Sequence, residues 1–244
     1  MIKEIQCPHC KAENCSNNKT CIKCDFVLGD LSFILYTRSY NNELYYMMKE
    51  FIPADVQVKK MQGYNGWEDA LRFIVDVIKD CNGWAVIMDE DMFTYRFEAI
   101  PAMIEHMQAN GFTHAGMPDR GVSPHRTLQW TTLNPFFNII NCPAIRAAGG
   151  LDKIDKPSFM GCPTFEIFDD LYLQMWKVGK PLYLNAATTA DGYTTHLKDH
   201  NGAYFALHSW MSREWAHGEK TRIKKVYDDA RYYYETRNNS SLPG

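Results

Sequence analysis

The chain has 244 residues and a formal net charge of -3, with 45% apolar and 23% charged residues. That is the mix of a packed globular protein, and it excludes both a disordered polyelectrolyte and a generally basic nucleic-acid coat. No run reaches the roughly 18 apolar residues needed to span a bilayer, and residues 1–6 lack a signal-peptide core, so the composition reads as soluble and cytoplasmic. At roughly 100–200 residues per domain, the length allows one large domain with a small appendage.

Five of the eight cysteines lie between Cys7 and Cys24. The spacing is Cys7-Pro8-His9-Cys10, then ten residues, then Cys21-Ile22-Lys23-Cys24. Two Cys-x-x-Cys knuckles can each present two thiolates to one tetrahedral zinc ion. A segment this short cannot bury enough apolar surface to fold alone, so the metal would supply its folding energy. Cys7, Cys10, Cys21 and Cys24 are therefore the expected ligands of a structural Zn²⁺. The segment resembles short zinc ribbons, and on that match Cys15 takes a turn position and is not a ligand. Such ribbons serve nucleic-acid binding, protein docking and plain stapling equally well, so the ribbon names no function.

Residues 31–37 form a β-rich run that ends in turn residues, Arg38 to Asn42. A helix is expected over 43–51, a short strand over 56–60, and an amphipathic helix over 67–79 with Leu71, Ile74, Val75 and Ile78 on one face. Residues 84–88, Trp-Ala-Val-Ile-Met, are a continuous apolar run, as in a strand covered on both faces. A helix over 100–110 stops at Gly111. The stretch 117–130 is polar and broken by Pro118, Gly121 and Pro124. A strand over 136–141, a helix over 166–178 and a strand over 182–184 follow; 188–202 reads as loop, and 219–237 as a terminal helix. Strand and helix alternate, which predicts an α/β fold, Rossmann-like, with a largely parallel central sheet.

Asp89-Glu90-Asp91 follows directly on the buried strand 84–88. Ligands of open α/β sheets bind outside the carboxyl ends of strands. Three carboxylates crowded there repel one another unless a cation sits among them. Asp89 and Asp91 can hold a hard divalent ion such as Mn²⁺ or Mg²⁺, which would clamp a diphosphate and neutralise its developing charge. The plain alternative is a solvated turn.

This strand–Asp-x-Asp, some fifty residues after a first strand ending in Thr37 and Arg38, resembles the metal-dependent glycosyltransferases of the A-type fold. The segment from Phe165 through Asp169, Asp170 and Leu171 to Leu182 is similar to that family's acidic helix, although Phe168 stands where an acid is expected. The resemblance covers about residues 30 to 210. It implies a nucleoside-diphosphate sugar donor, UDP-linked, with Thr37 and Arg38 touching the nucleotide. It also implies a late metal ligand at His196, and a catalytic base at Asp169 or Asp170 if the reaction inverts the anomeric centre.

The resulting division is a zinc ribbon over 1–28, a catalytic domain over 29–215 and a C-terminal helix and tail over 216–244. The acceptor would be a soluble intracellular molecule: a metabolite, a protein side chain, or hydroxymethylated cytosine in DNA of the kind that bacteriophages decorate with sugars. In the DNA case, Lys220 to Lys225 and the ribbon would grip phosphates. Two other classes compete. A sugar nucleotidylyltransferase should carry a glycine-rich loop after its first strand, where this chain reads Tyr36-Thr37-Arg38-Ser39-Tyr40. A non-catalytic zinc-ribbon adaptor would use the mixture of cations and tyrosines over 220–234 as a binding surface.

Overall fold

The computed structural model describes residues 4–6, 13–15, 33–64, 69–119, 129–149, 151 and 168–236. The four expected zinc ligands lie outside the described residues. Just before the first of them, β1 (Glu4–Gln6) pairs antiparallel with β2 (Glu13–Cys15), so Cys15 lies in a paired strand opposite Glu4 rather than in a turn.

The expected alternation then appears nearly element for element: β3 (Phe33–Arg38), α1 (Asn42–Lys49), β4 (Val58–Met61), α2 (Asp69–Asp80) and β5 (Trp84–Met88). Asn41 caps α1 by accepting from the Glu43 amide at 2.8 Å, which satisfies one of the amides a helix start leaves free. After the short β6 (Met92–Phe93), α3 (Ala99–Asn110) ends at Gly111, whose φ of 69° makes the left-handed cap that glycine adopts without strain. β7 (Phe112–Asp119) and β8 (Gln129–Asn141) bound residues 120–128, which lie outside the described residues, and the irregular segment expected over 117–130 begins inside a strand. α4 (Cys142–Ala147), α5 (Asp169–Val178) and β9 (Lys180–Tyr183) complete this half.

Six strands form one sheet in the order β4-β3-β5-β8-β7-β9. The β4–β3, β3–β5 and β7–β9 pairings are parallel, and β8 alone runs against its neighbours. The sheet is therefore mixed but mostly parallel. β5 sits inside it with all five residues buried. Its side chains alternate: Trp84, Val86 and Met88 join the core beneath α3, while Ala85 and Ile87 join the core beneath α2, α4 and α5. Each large apolar side chain buried this way contributes about 1.5–3 kcal/mol, and this is why a continuous apolar run marks a central strand.

The stretch 188–202, expected as loop, is instead part of a second sheet of four antiparallel strands, in the order β10-β11-β12-β6. Its strands are β10 (Ala186–Thr188), β11 (Thr195–Lys198) and β12 (Tyr204–His208). Asp191 builds the first hairpin by accepting from the amides of Tyr193 and Thr194 at 2.9 and 2.8 Å. Asp199 builds the second through the amides of Asn201 and Ala203 at 2.9 and 3.0 Å. Asx turns of this kind supply the local backbone partners that a short hairpin lacks. A 3₁₀ helix (Ser212–His217) leads into α6 (Lys220–Thr236). α6 buries Ile223, Val226, Tyr227 and Ala230 against Leu44, Met47, Phe51 and Phe93, so the C-terminal helix shares a core with α1 and β6. No helix among the described residues is long and apolar enough to cross a membrane.

Candidate functional site

Asp89 leaves the carboxyl end of β5 with its amide bonded to the Phe136 carbonyl at 2.9 Å, and the Met92 amide returns to the Asp89 carbonyl at 3.1 Å. This tight turn starts β6, which pairs with β12 in the register His208↔Met92. The pairing carries His208 to the acids. Asp89, Asp91 and His208 each offer one ligand atom, and the three atoms lie within 4.8 Å of one another. His208 Nε2 is 3.3 Å from Asp91 Oδ1, and Arg38 Nε is 3.6 Å from Asp89 Oδ1. Ser209 Oγ lies 3.2 Å from the other Asp91 oxygen.

These carboxylates are not a solvated turn. The Asp91 side chain is 1% exposed, that of His208 3% and that of Asp89 20%. Burial raises the Asp89 carboxyl above its ordinary range, with Arg38 opposing and Asp91 adding to the shift. Burial also pushes Asp91 upward, but His208 and the Ser209 hydroxyl outweigh it and hold this carboxyl low. Asp91 Oδ1 and His208 Nδ1 are buried without a hydrogen-bond partner among the described residues. Unsatisfied buried groups cost free energy and mark places where a further partner belongs. Two carboxylate oxygens and an imidazole nitrogen make a donor set that suits a divalent cation such as Mn²⁺.

Glu90 has a different task. Its Oε2 accepts from Ser39 Oγ at 2.5 Å and from the amides of Tyr40 and Asn41 at 3.1 Å each. It pins the β3–α1 loop, and burial pushes its carboxyl up to about 7 against those donors. Beside that loop, beyond the carboxyl ends of β3 and β4, lies a cleft of about 320 Å³ lined by Ser39, Tyr40, Asn42, Lys60, Gln62 and Gly63. Thr37 is fully buried, so of the two residues expected to meet a nucleotide only Arg38 presents its side chain at the acids.

His196 stands apart from this group. On β11 the register is Thr195↔His208 and His196↔Leu207. Strand side chains alternate between faces, so His196 points to the face opposite His208. There Tyr95 Oη lies 2.5 Å from its Nε2 and Tyr204 stacks on it at 3.9 Å. Burial holds His196 down to about 4. The family resemblance favoured His196 over His208, although the apolar run 203–207 ending in a histidine repeats the pattern of 84–88 ending in an aspartate.

The two acids of α5 separate as well. Asp169 is 5% exposed and accepts a short hydrogen bond from Thr132 Oγ1 of β8, while Asp170 faces solvent. The cations of 220–225 are engaged. Lys220 and Lys224 both pair with Glu43, at 3.0 and 3.2 Å, and Lys225 pairs with Asp229 at 2.8 Å. Arg222 turns inward to the carbonyls of Ser209 and Trp210.

No family model matches the chain, and no curated protein matches it. Among solved structures, the crystal structure of A197 from STIV aligns with 72% of this chain and 93% of its own, at 14% identity and a TM-score of 0.37. A likeness at that level bears on neither mechanism nor substrate, so the case for the site rests on its own geometry.

Proposed function

We propose that the chain is a metal-dependent glycosyltransferase of the A-type fold, using a nucleoside-diphosphate sugar as donor. The observation that carries this reading is the convergence of Asp89, Asp91 and His208 within 4.8 Å at the carboxyl edge of a mostly parallel sheet, where α/β proteins bind their ligands. Asp89 and Asp91, with His208 rather than His196, would hold Mn²⁺ or Mg²⁺. When bound, such an ion supplies Lewis acidity to a diphosphate leaving group. Arg38 sits on Asp89 and would give its guanidinium to the phosphate oxygens, a pairing its planar fork favours. The polar cleft beyond β3 and β4 is then the place for the nucleoside, with Glu90 fixing the loop that forms one wall. In an inverting reaction the acceptor's proton must pass to a carboxylate; Asp169, buried beside Thr132, and the exposed Asp170 are the two offered by α5.

The acceptor reading moves away from DNA. With Lys220, Lys224 and Lys225 paired to acids, α6 offers little free positive charge for a phosphate backbone, which favours a small or protein-borne hydroxyl. The N-terminal knuckles belong to the same proposal as a structural Zn²⁺ site on Cys7, Cys10, Cys21 and Cys24. Serine at Cys21 should release the zinc and serine at Cys15 should not; equal loss from both would break that ligand set.

The test of the main reading is a panel of nucleotide sugars, UDP-linked ones first, with and without Mn²⁺, followed by thermal melting. A true donor at about a hundred times its dissociation constant adds about 2.7 kcal/mol. If no donor stabilises the protein with either metal, the transferase reading is lost. Transfer to hydroxymethylcytosine DNA would overturn the acceptor reading alone.

A further inference from the structure

His208 reaches Asp91 from the end of β12, and the backbone that follows is held in an unusual shape. Trp210 and Met211, with φ of 62° each, are the two non-glycine residues in the left-handed region among the described residues. That region is disfavoured for a residue with a side chain, so the surroundings must over-determine the turn. They do so through Arg222 of α6. Its Nη1 donates to the Ser209 carbonyl at 2.5 Å and its Nη2 to the Trp210 carbonyl at 2.9 Å, while Glu219 holds its Nε. Trp210 Nε1 donates to Thr195 Oγ1 on β11 at 2.8 Å.

Held this way, the Trp210 ring lies 4.4 Å from the His208 imidazole, which stacks on Phe136 at 4.2 Å and 11°. Ser209 ties the same turn to the other ligand: its amide donates to the Asp91 carbonyl at 3.0 Å and its hydroxyl lies 3.2 Å from Asp91 Oδ2. The imidazole and the carboxylate are thus both oriented through residues 209 and 210, and one guanidinium holds the carbonyls of both.

We propose that Arg222 is a positioning residue for the metal centre, holding the left-handed turn that aims His208 at Asp91. The inference rests on the metal reading above. A guanidinium suits the task because its rigid fork serves two carbonyls and a carboxylate at once, whereas an ammonium is a single point charge.

The test uses the full chain with R222K, which keeps stem and charge but loses the fork, and T195V, which removes the acceptor beneath Trp210 at nearly constant shape. Three readouts are taken: Mn²⁺ affinity by calorimetry without nucleotide, metal-free melting temperature, and the NMR shifts of the His208 ring protons, which the Phe136 ring perturbs. Outer-shell partners of metal ligands are worth roughly 10–100-fold in affinity. R222K should show a loss of that size and His208 shifts moved toward free imidazole, with melting nearly unchanged; T195V should move the same way by less. D91A, the control, should lose Mn²⁺ binding altogether. Wild-type Mn²⁺ affinity and unmoved His208 shifts in R222K would overturn the positioning role and leave the metal reading standing. Affinity falling only in step with melting temperature in both variants would overturn it as well, reducing Arg222 to a structural residue. A wild-type chain that binds no Mn²⁺ would instead remove the metal reading on which the proposal rests.

Discussion

Two arms meet at the candidate centre, and they are built differently. The Asp89–Asp91 arm extends from β5, a strand buried on both faces in the middle of a six-stranded sheet. The His208 arm extends from β12, in a sheet of short antiparallel strands held together by Asp191 and Asp199 turns. The first arm rests on apolar packing that any neighbouring sequence of the same pattern would provide. The second depends on named polar contacts: a two-residue pairing with β6, a left-handed turn and the reach of Arg222. A site of this kind is rigid by packing on one side and held by a few specific contacts on the other, and changes to the two arms should separate accordingly.

The largest effect is expected on the rigid arm. Asp91→Ala leaves the buried His208 and Ser209 side chains without their partner, and a buried polar group left unsatisfied costs about 1–3 kcal/mol. Denaturant unfolding should show a loss of that order, and calorimetry should show no Mn²⁺ binding. Retention of wild-type metal affinity would mean that β5 carries no metal arm. Next come the two histidines of the small sheet. His208→Ala should weaken Mn²⁺ binding by more than about a hundredfold, beyond the roughly 10–100-fold that an outer partner is worth. His196→Ala should leave it unchanged, because that side chain packs on Tyr95 and Tyr204 on the opposite face. Reversed sizes would restore the ligand that the family resemblance assigned.

Acid sharpens the comparison further. Burial holds His114 of β7 down to about 3 and His196 of β11 down to about 4, from an ordinary 6.5. A histidine depressed in this way stays neutral in the fold while the unfolded chain takes up the proton. Its stability is therefore complete above 6.5 and is lost as pH falls from there toward the folded value. For the fully buried His114 the slope approaches about 1.4 kcal/mol per pH unit; for the partly exposed His196 solvent screening makes it smaller. Denaturant midpoints over this range should flatten in His114→Asn more than in His196→Asn. Equal slopes would show that the two histidines are equally shielded from solvent in the fold. The smallest effect belongs to the surface: Glu43→Gln unpairs Lys220 and Lys224, yet exposed ion pairs contribute about 1 kcal/mol or less. Its telling readout is DNA retention in a salt series, which should rise slightly if freed lysines attract phosphates and should stay flat otherwise.

How far the sequence could be read follows from the same contrast. The run 84–88, the amphipathic period of 67–79 and the stop at Gly111 are local signals, because burial on both faces, burial on one face and a left-handed cap each demand particular residues at fixed spacing. The position of Asp89 and Asp91 came with them, since a polar residue after a buried strand must lie at the sheet's edge. β10 and β11 escaped because three- and four-residue strands of mixed polarity leave too short a period to stand out from loop, even though Thr195 and Leu197 alternate inward. β8 was legible as a strand, but nothing in residues 136–141 marks it as the one that runs against its neighbours.

What the sequence by itself determined, then, is the α/β alternation, the central strand and the pair of aspartates at its end. Which histidine joins them was decided by tertiary structure. His196 and His208 both sit in short strands, and only the pairing of β12 with β6 and the alternation across β11 send one toward Asp91 and the other toward the tyrosines. Partner and face in a sheet are set by hydrogen bonds between distant segments, which leave no period in the chain that makes them.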